Sequence, residues 1–232
     1  MIGKSLRTPQ LFIPPTVVGN LKRTKLNETE KNEILSLSKD LGETAIDSLL
    51  DDGIFKNIPF IGIGISVTKL IKSASDRILL TKIIHFINDL NLKDQGEIDK
   101  FKKKYFKNSD YKKIGSKVLL ILERADNATK IKWLAKSLRF FVDGNLDKQQ
   151  FLRISSIINS AYTEDVQQIT IFEKRAEITS QNDIIETYVL DHLFSIGLLE
   201  SHGFDGGDMT GLNSGTKYAL NCFGEIMKDK II

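Results

Sequence analysis

The sequence predicts a mainly α protein: a helical body followed by a small C-terminal α+β unit. Three observations carry this expectation. Apolar residues recur at three- and four-residue spacing from residue 27 to about 162, the period of core-facing helices. Capping residues and glycines punctuate those stripes where helices would start and stop. From about residue 165 the long stripes give way to short alternating runs and a glycine-rich loop. The chain has 232 residues, 41% hydrophobic and 27% charged, so it can bury a core and is not composed like a disordered chain. The organisation expected is an irregular N-terminal arm over 1–26, a helical domain over 27–162 and the C-terminal unit over 165–232.

Composition narrows the chemistry. A single cysteine, Cys222, rules out an internal disulfide and a cysteine-built zinc site, and it fits a reducing cytoplasm. In "YALNCFGEIM" it reads as a small buried thiol rather than a nucleophile. Three histidines, His85, His192 and His202, supply little for acid–base catalysis. The first twenty residues lack the continuous apolar core of a signal peptide. Charge is uneven: residues 1–117 carry 21 Lys/Arg against 14 Asp/Glu, and residues 118–232 carry 12 against 16. Such asymmetry implies two surfaces with different partners, or one surface that docks on the other.

The first helix is expected over "NETEKNEILSLSKDLGETAIDSLLDD", residues 27–52. Asn27 and Glu30 form a capping-box pattern, and Gly53 closes the helix. Next comes "IPFIGIGISVTKLIK", residues 58–72, the most apolar stretch. A spanning helix needs about 20 apolar residues, and here Lys69, Lys72, Asp76 and Arg77 arrive too soon. A phosphate loop is excluded as well, because no Gly-Lys-Ser/Thr follows. A buried helix explains the stretch most simply. The sharper reading is an interfacial segment in which Phe55, Ile58, Phe60, Ile61 and Ile65 meet a membrane or partner and Lys69 and Lys72 meet phosphates.

"SDRILLTKIIHFINDL", residues 75–90, predicts a second amphipathic helix, with His85 at its boundary and only Asp89 in reach as a co-ligand. In "DKFKKKYFKNSDYKKIGSK", residues 99–117, eight lysines interleave with four aromatics. A helix with an aromatic core face accounts for this pattern. A basic patch of Lys100, Lys102, Lys103, Lys104, Lys107, Lys112 and Lys113 would also attract nucleic acid or anionic headgroups. Residues 116–142 predict two helices broken near "ADNAT", the second capped by Asn127 and presenting Ile131, Trp133, Leu134, Leu138 and Phe141 inward. "FFVDGNLDKQQF" imitates a calcium loop, but aligning Gly144 puts Arg139, Phe141 and Gln150 at ligand positions. Gly144 instead closes one helix, and Asp147 with Gln150 makes a capping box for the next.

The C-terminal run predicts a helix from about Asn182 to Ser195, closed by Gly197 and leading into a short strand. A glycine-rich loop "HGFDGGDMTGLNSGT" follows, then a strand "KYALN" and a last helix "CFGEIMKDKI". The only sheet expected is the hairpin. This order, with "LFSIGLLE" before "YALNCFGEIM", resembles the recognition helix, wing and final helix of winged-helix domains. The resemblance implies DNA reading, but the helix offers Asp183, Glu186 and Asp191 and no lysine or arginine, so it would repel phosphates. A protein-docking winged helix is the better expectation. Residues 45–165, in an "IP-x-x-G", "DR-x-x-x-x-K" and "L-x-R-x-D" frame, resemble a family of bacterial helical proteins. That resemblance implies a place in anti-phage defence and no particular activity.

No Ser-His-Asp, HExxH, Walker or paired-carboxylate pattern stands out. The functional expectation is therefore a non-enzymatic effector or adaptor without cofactor or metal. It would act on another protein or a second copy of itself, with a membrane surface as a further contact and a cytoplasmic or peripheral inner-membrane location. The alternative is a nucleic-acid-binding regulator that uses the lysine-rich 100–117 segment.

Overall fold

The computed structural model describes residues 74–232, apart from 93, 108, 174–176, 182–183 and 208–213. The helix expected over 27–52 and the 58–72 stretch, with Phe55, Ile58, Phe60, Ile61, Ile65, Lys69 and Lys72, lie outside the described residues.

Among the described residues, eight helices and a three-stranded antiparallel sheet follow in order. Helix α1 (Ala74–Asp89) buries Ile83, Ile84 and Phe86 on its apolar stripe. The carbonyls just past its end are held from outside: Arg139 Nη1 donates to Leu90 O and Asn91 O, both at 2.7 Å. A guanidinium there satisfies orphan acceptors and faces the negative end of the helix dipole. The lysine-rich stretch differs from the single helix expected. It forms α2 (Gln95–Lys107) and α3 (Tyr111–Arg124), and α3 runs without interruption into "KVLLILER". Ser109 and Asp110 occupy a turn, where their short polar side chains are at home.

Helix α4 (Ala128–Val142) is central. It packs on α1 and on α5 (Lys148–Ser160), and its inward face carries Ile131, Trp133, Leu134, Leu138 and Phe141 as expected. Asn127 caps α4 by accepting from the Lys130 amide. Gly144, at φ +84°, turns the chain out of it. The Asp147–Gln150 capping box is complete: Gln150 N donates to Asp147 Oδ1 at 2.8 Å and Asp147 N donates to Gln150 Oε1 at 2.9 Å.

A short helix α6 (Thr163–Gln167) and a 3-10 turn (Gln168–Ile171) lead to the sheet. Strand β1 (Ile178–Thr179) precedes α7 (Thr187–Ser195), and the hairpin β2 (Leu199–Asp205) and β3 (Gly215–Leu220) follows. Spatial order is β1-β3-β2, with Tyr218 on β3 opposite Ile178 on one side and Ser201 on the other. Three expectations are corrected here. The sheet has a third strand besides the hairpin. The helix expected from Asn182 begins at Thr187, because Glu186 is extended (φ −57°, ψ 138°) and Thr187 Oγ1 donates to Ser180 O at 2.6 Å. The "HGFD" segment is strand rather than loop, carried past Gly203 (φ +92°) by a bulge between Ser201 and Phe204.

The last helix, α8 (Cys222–Ile226), continues as a π turn (Met227–Ile231). Cys222 is exposed rather than buried: Asn221 caps the helix, and the first helical position points outward. The π turn packs on α4, where Lys136 Nζ donates to Ile231 O and Ile232 O at 2.8 and 3.0 Å. One contiguous apolar core therefore runs from Leu80 to Ile231.

Candidate functional site

Among the described residues two surfaces present chemistry. The first is built by α7 and β3. Val189, Leu190 and Leu193 fix α7 to the core, and this leaves the row Tyr188, Asp191, Phe194 facing out. Tyr188 is 67% exposed and Phe194 46%, both far above what a large ring shows in a core. Phe194 leans on the Tyr218 ring at 5.5 Å between centroids, and Tyr218 Oη donates to Asp191 Oδ1 at 3.0 Å. Partial burial, then that hydrogen bond, raise the Tyr218 phenol above its ordinary 10.0, so it remains a donor. The exposed Asp191 carboxylate thus stands among three aromatic rings, and among the described residues no cation pairs with it. Such an arrangement suits an ammonium or guanidinium on an aliphatic stem, through charge and ring faces together.

Of the expected docking carboxylates, Asp183 lies outside the described residues. Glu186 is exposed just before α7, five positions from Asp191 and off its row. Asp191 alone sits at the centre. Tyr188, Phe194 and Tyr218 were not singled out in the sequence, although a signal exists: Tyr188 and Phe194 fall outside the Val189/Leu190/Leu193 stripe.

Behind α7, His192 Nδ1 lies 2.6 Å from Asp165 Oδ2 on α6, and Asp165 is 8% exposed. This pairing imitates two members of a catalytic relay. The nearby Ser195 hydroxyl is turned away, donating to the His192 carbonyl at 2.7 Å. The pair joins α6 to α7 and holds the Tyr188, Asp191, Phe194 row in place. Among the described residues no group of three His, Cys, Asp or Glu side chains could hold a metal.

The second surface is the corner between α2 and α3. Tyr105, buried, donates from Oη to Tyr111 O at 2.6 Å, and burial pushes its phenol well above the ordinary 10.0. Phe106 meets Tyr111 edge-on at 4.9 Å and is 48% exposed. Lys112 Nζ stands 6.0 Å from the Tyr111 ring centroid, and Lys107 follows Phe106 at the end of α2.

The seven lysines expected as one patch divide. Lys104 pairs with Asp143 at 2.8 Å, Lys113 with Asp110 at 3.5 Å, and Lys102 lies 4.0 Å from Asp99. Asp110 also accepts from Lys148, which is the main reason its carboxyl is held below the usual range. Among the described residues Lys100, Lys103, Lys107 and Lys112, with Lys117 beyond the expected set, have no carboxylate partner.

Among the described residues no helix is long and apolar enough to cross a membrane. No protein-family model, curated protein or solved structure matches this chain.

Proposed function

We propose that this chain is a non-enzymatic adaptor whose C-terminal unit docks a lysine- or arginine-bearing protein surface. The observation that carries the reading is the exposed row Tyr188, Asp191, Phe194, whose carboxylate is set among aromatic rings and is paired with no cation among the described residues. We read residues 165–232 as winged-helix-like. In support, a single helix directly precedes a hairpin whose second strand also pairs with a strand from before that helix. DNA reading through α7 is disfavoured, because α7 carries no lysine or arginine. Lys217 on the hairpin is already engaged by Asp205 at 2.9 Å and Glu177 at 3.8 Å. A role in bacterial anti-phage defence rests on the resemblance of residues 45–165 alone.

The test is site-specific photo-crosslinking in cells. A benzophenone side chain at position 188 is expected to give a discrete protein adduct that disappears in an Asp191→Asn background. The same probe at Ser156, exposed on α5, should not give it. Identical adducts from both positions, or none from 188, would overturn the reading.

A second reading, a polyanion-binding regulator, is favoured by the lysines without carboxylate partners beside exposed Phe106. It predicts sequence-blind duplex binding that weakens steeply with salt. In gel shifts, charge reversal at Lys103 and Lys107 should abolish that binding, and alanine at Glu186 and Asp191 should leave it intact. Sequence-selective binding that survives salt and is lost on changing α7 would contradict both readings.

A further inference from the structure

We infer that the occupant of the α7 row is a second copy of this chain, presenting its α2–α3 corner. The inference rests on the docking reading above and names its partner. The two surfaces are complementary in charge and in kind. One offers a carboxylate, Asp191, between Tyr188 and Phe194; the other offers ammonium groups, Lys107 and Lys112, beside the Phe106–Tyr111 ring pair. Exposed aromatics on each, Tyr188 and Phe194 on the first and Phe106 on the second, supply apolar area that charge alone would not.

Within one copy the surfaces do not satisfy each other. Asp191 accepts from Tyr218, and neither Lys107 nor Lys112 forms an ion pair with it. The wider charge distribution agrees, with a basic excess over residues 1–117 and an acidic excess over 118–232. Two copies either pair both faces reciprocally about a two-fold axis, or leave one face open at each end and continue head-to-tail into chains or a larger ring.

The geometry sets a test with a built-in cap. One full-length variant, Tyr188→Ala/Asp191→Asn, loses the acidic face and keeps the corner. A second, Lys107→Glu/Lys112→Glu, loses the corner and keeps the face. In sedimentation velocity at low salt and about 100 µM, where micromolar contacts are well populated, wild type is expected to run as multimers that dissociate with added salt. Each variant alone should be monomeric, with self-affinity reduced by at least about tenfold. Their equimolar mixture should form 1:1 dimers and nothing larger, since each dimer has spent its only intact pair of faces. Formation of that dimer also shows that both variants are folded.

Monomeric wild type, variants that still self-associate, or a mixture that stays monomeric would each overturn the inference. The photo-crosslink at position 188 separates the two claims. An Asp191-dependent adduct to a different protein leaves the docking reading standing and removes only the second copy, and loss of the adduct removes both.

Discussion

Replacing Gly224 by alanine probes how the C-terminal unit is held together. A methyl group there would lie 2.2 Å from the Leu198 carbonyl oxygen and 2.9 Å from Leu220 Cδ2. Ordinary contact needs more than a further ångström from the oxygen, and the obstacle is backbone. That carbonyl also accepts from the Asn221 amide at 3.1 Å, so pushing α8 outward stretches a bond that pins the helix start to the turn between α7 and β2. Overpacking of this kind costs about 1–3 kcal/mol, and weakening one hydrogen bond about 1 kcal/mol more. Alanine returns about 1 kcal/mol, because it is the better helix former. The net loss is about 2 kcal/mol, which for a chain of this size lowers Tm by about 4–8 °C. The assay is thermal unfolding followed by circular dichroism, with Gly206→Ala as control, since nothing lies within 4 Å of a methyl group at that position. A Gly224→Ala protein that melts at or above the wild-type temperature would refute the close-approach argument.

Other outcomes follow from local geometry. Asp147→Ala removes the side-chain acceptor of the α5 capping box and should cost about 1 kcal/mol in urea unfolding; Gln150→Ala should cost less, because the cap acceptor survives. His202 is hydrogen-bonded by Glu177 at 2.6 Å and Glu200 at 3.1 Å, and these partners raise its pKa above the ordinary 6.5. The stability it contributes is therefore fully present below pH 6.5 and lost as pH rises through the raised folded-state value. In an NMR titration the His202 midpoint should lie above 6.5 and move down in Glu177→Gln; an unmoved midpoint would deny the ion pair its role.

The helical body was legible in the sequence wherever one periodicity ruled a whole element. In α4 the stripe from Ile131 to Phe141 is regular, and both its cap at Asn127 and its exit at Gly144 are local chemistry. The break between α2 and α3 was hidden. Lysines and aromatics continue at helical spacing on both sides of Ser109-Asp110, and only the packing of Tyr111 back on Phe106 makes the turn visible. Strand β1 has two residues, too few for alternation to register, and exists because β3 is there to pair with it. On the outer face of α7, net charge points to Asp191 but not to Tyr188 and Phe194. An aromatic in a helix reads as core until the opposite face is known to be filled.

The strand order also decides which backbone is left open to solvent. With β3 in the middle, β2 is an outer strand of seven residues, and among the described residues no strand pairs with its far side. A flat outer strand of that length is a template on which another chain can extend the sheet. Here the bulge between Ser201 and Phe204 interrupts the run of peptide groups, and Glu200 and His202 place charge along it. The association proposed for α7 could then proceed beside this strand without passing into sheet-to-sheet aggregation. Straightening the bulge, or replacing Glu200 and His202 with β-branched residues, would remove that separation and open the strand to fibre-like pairing.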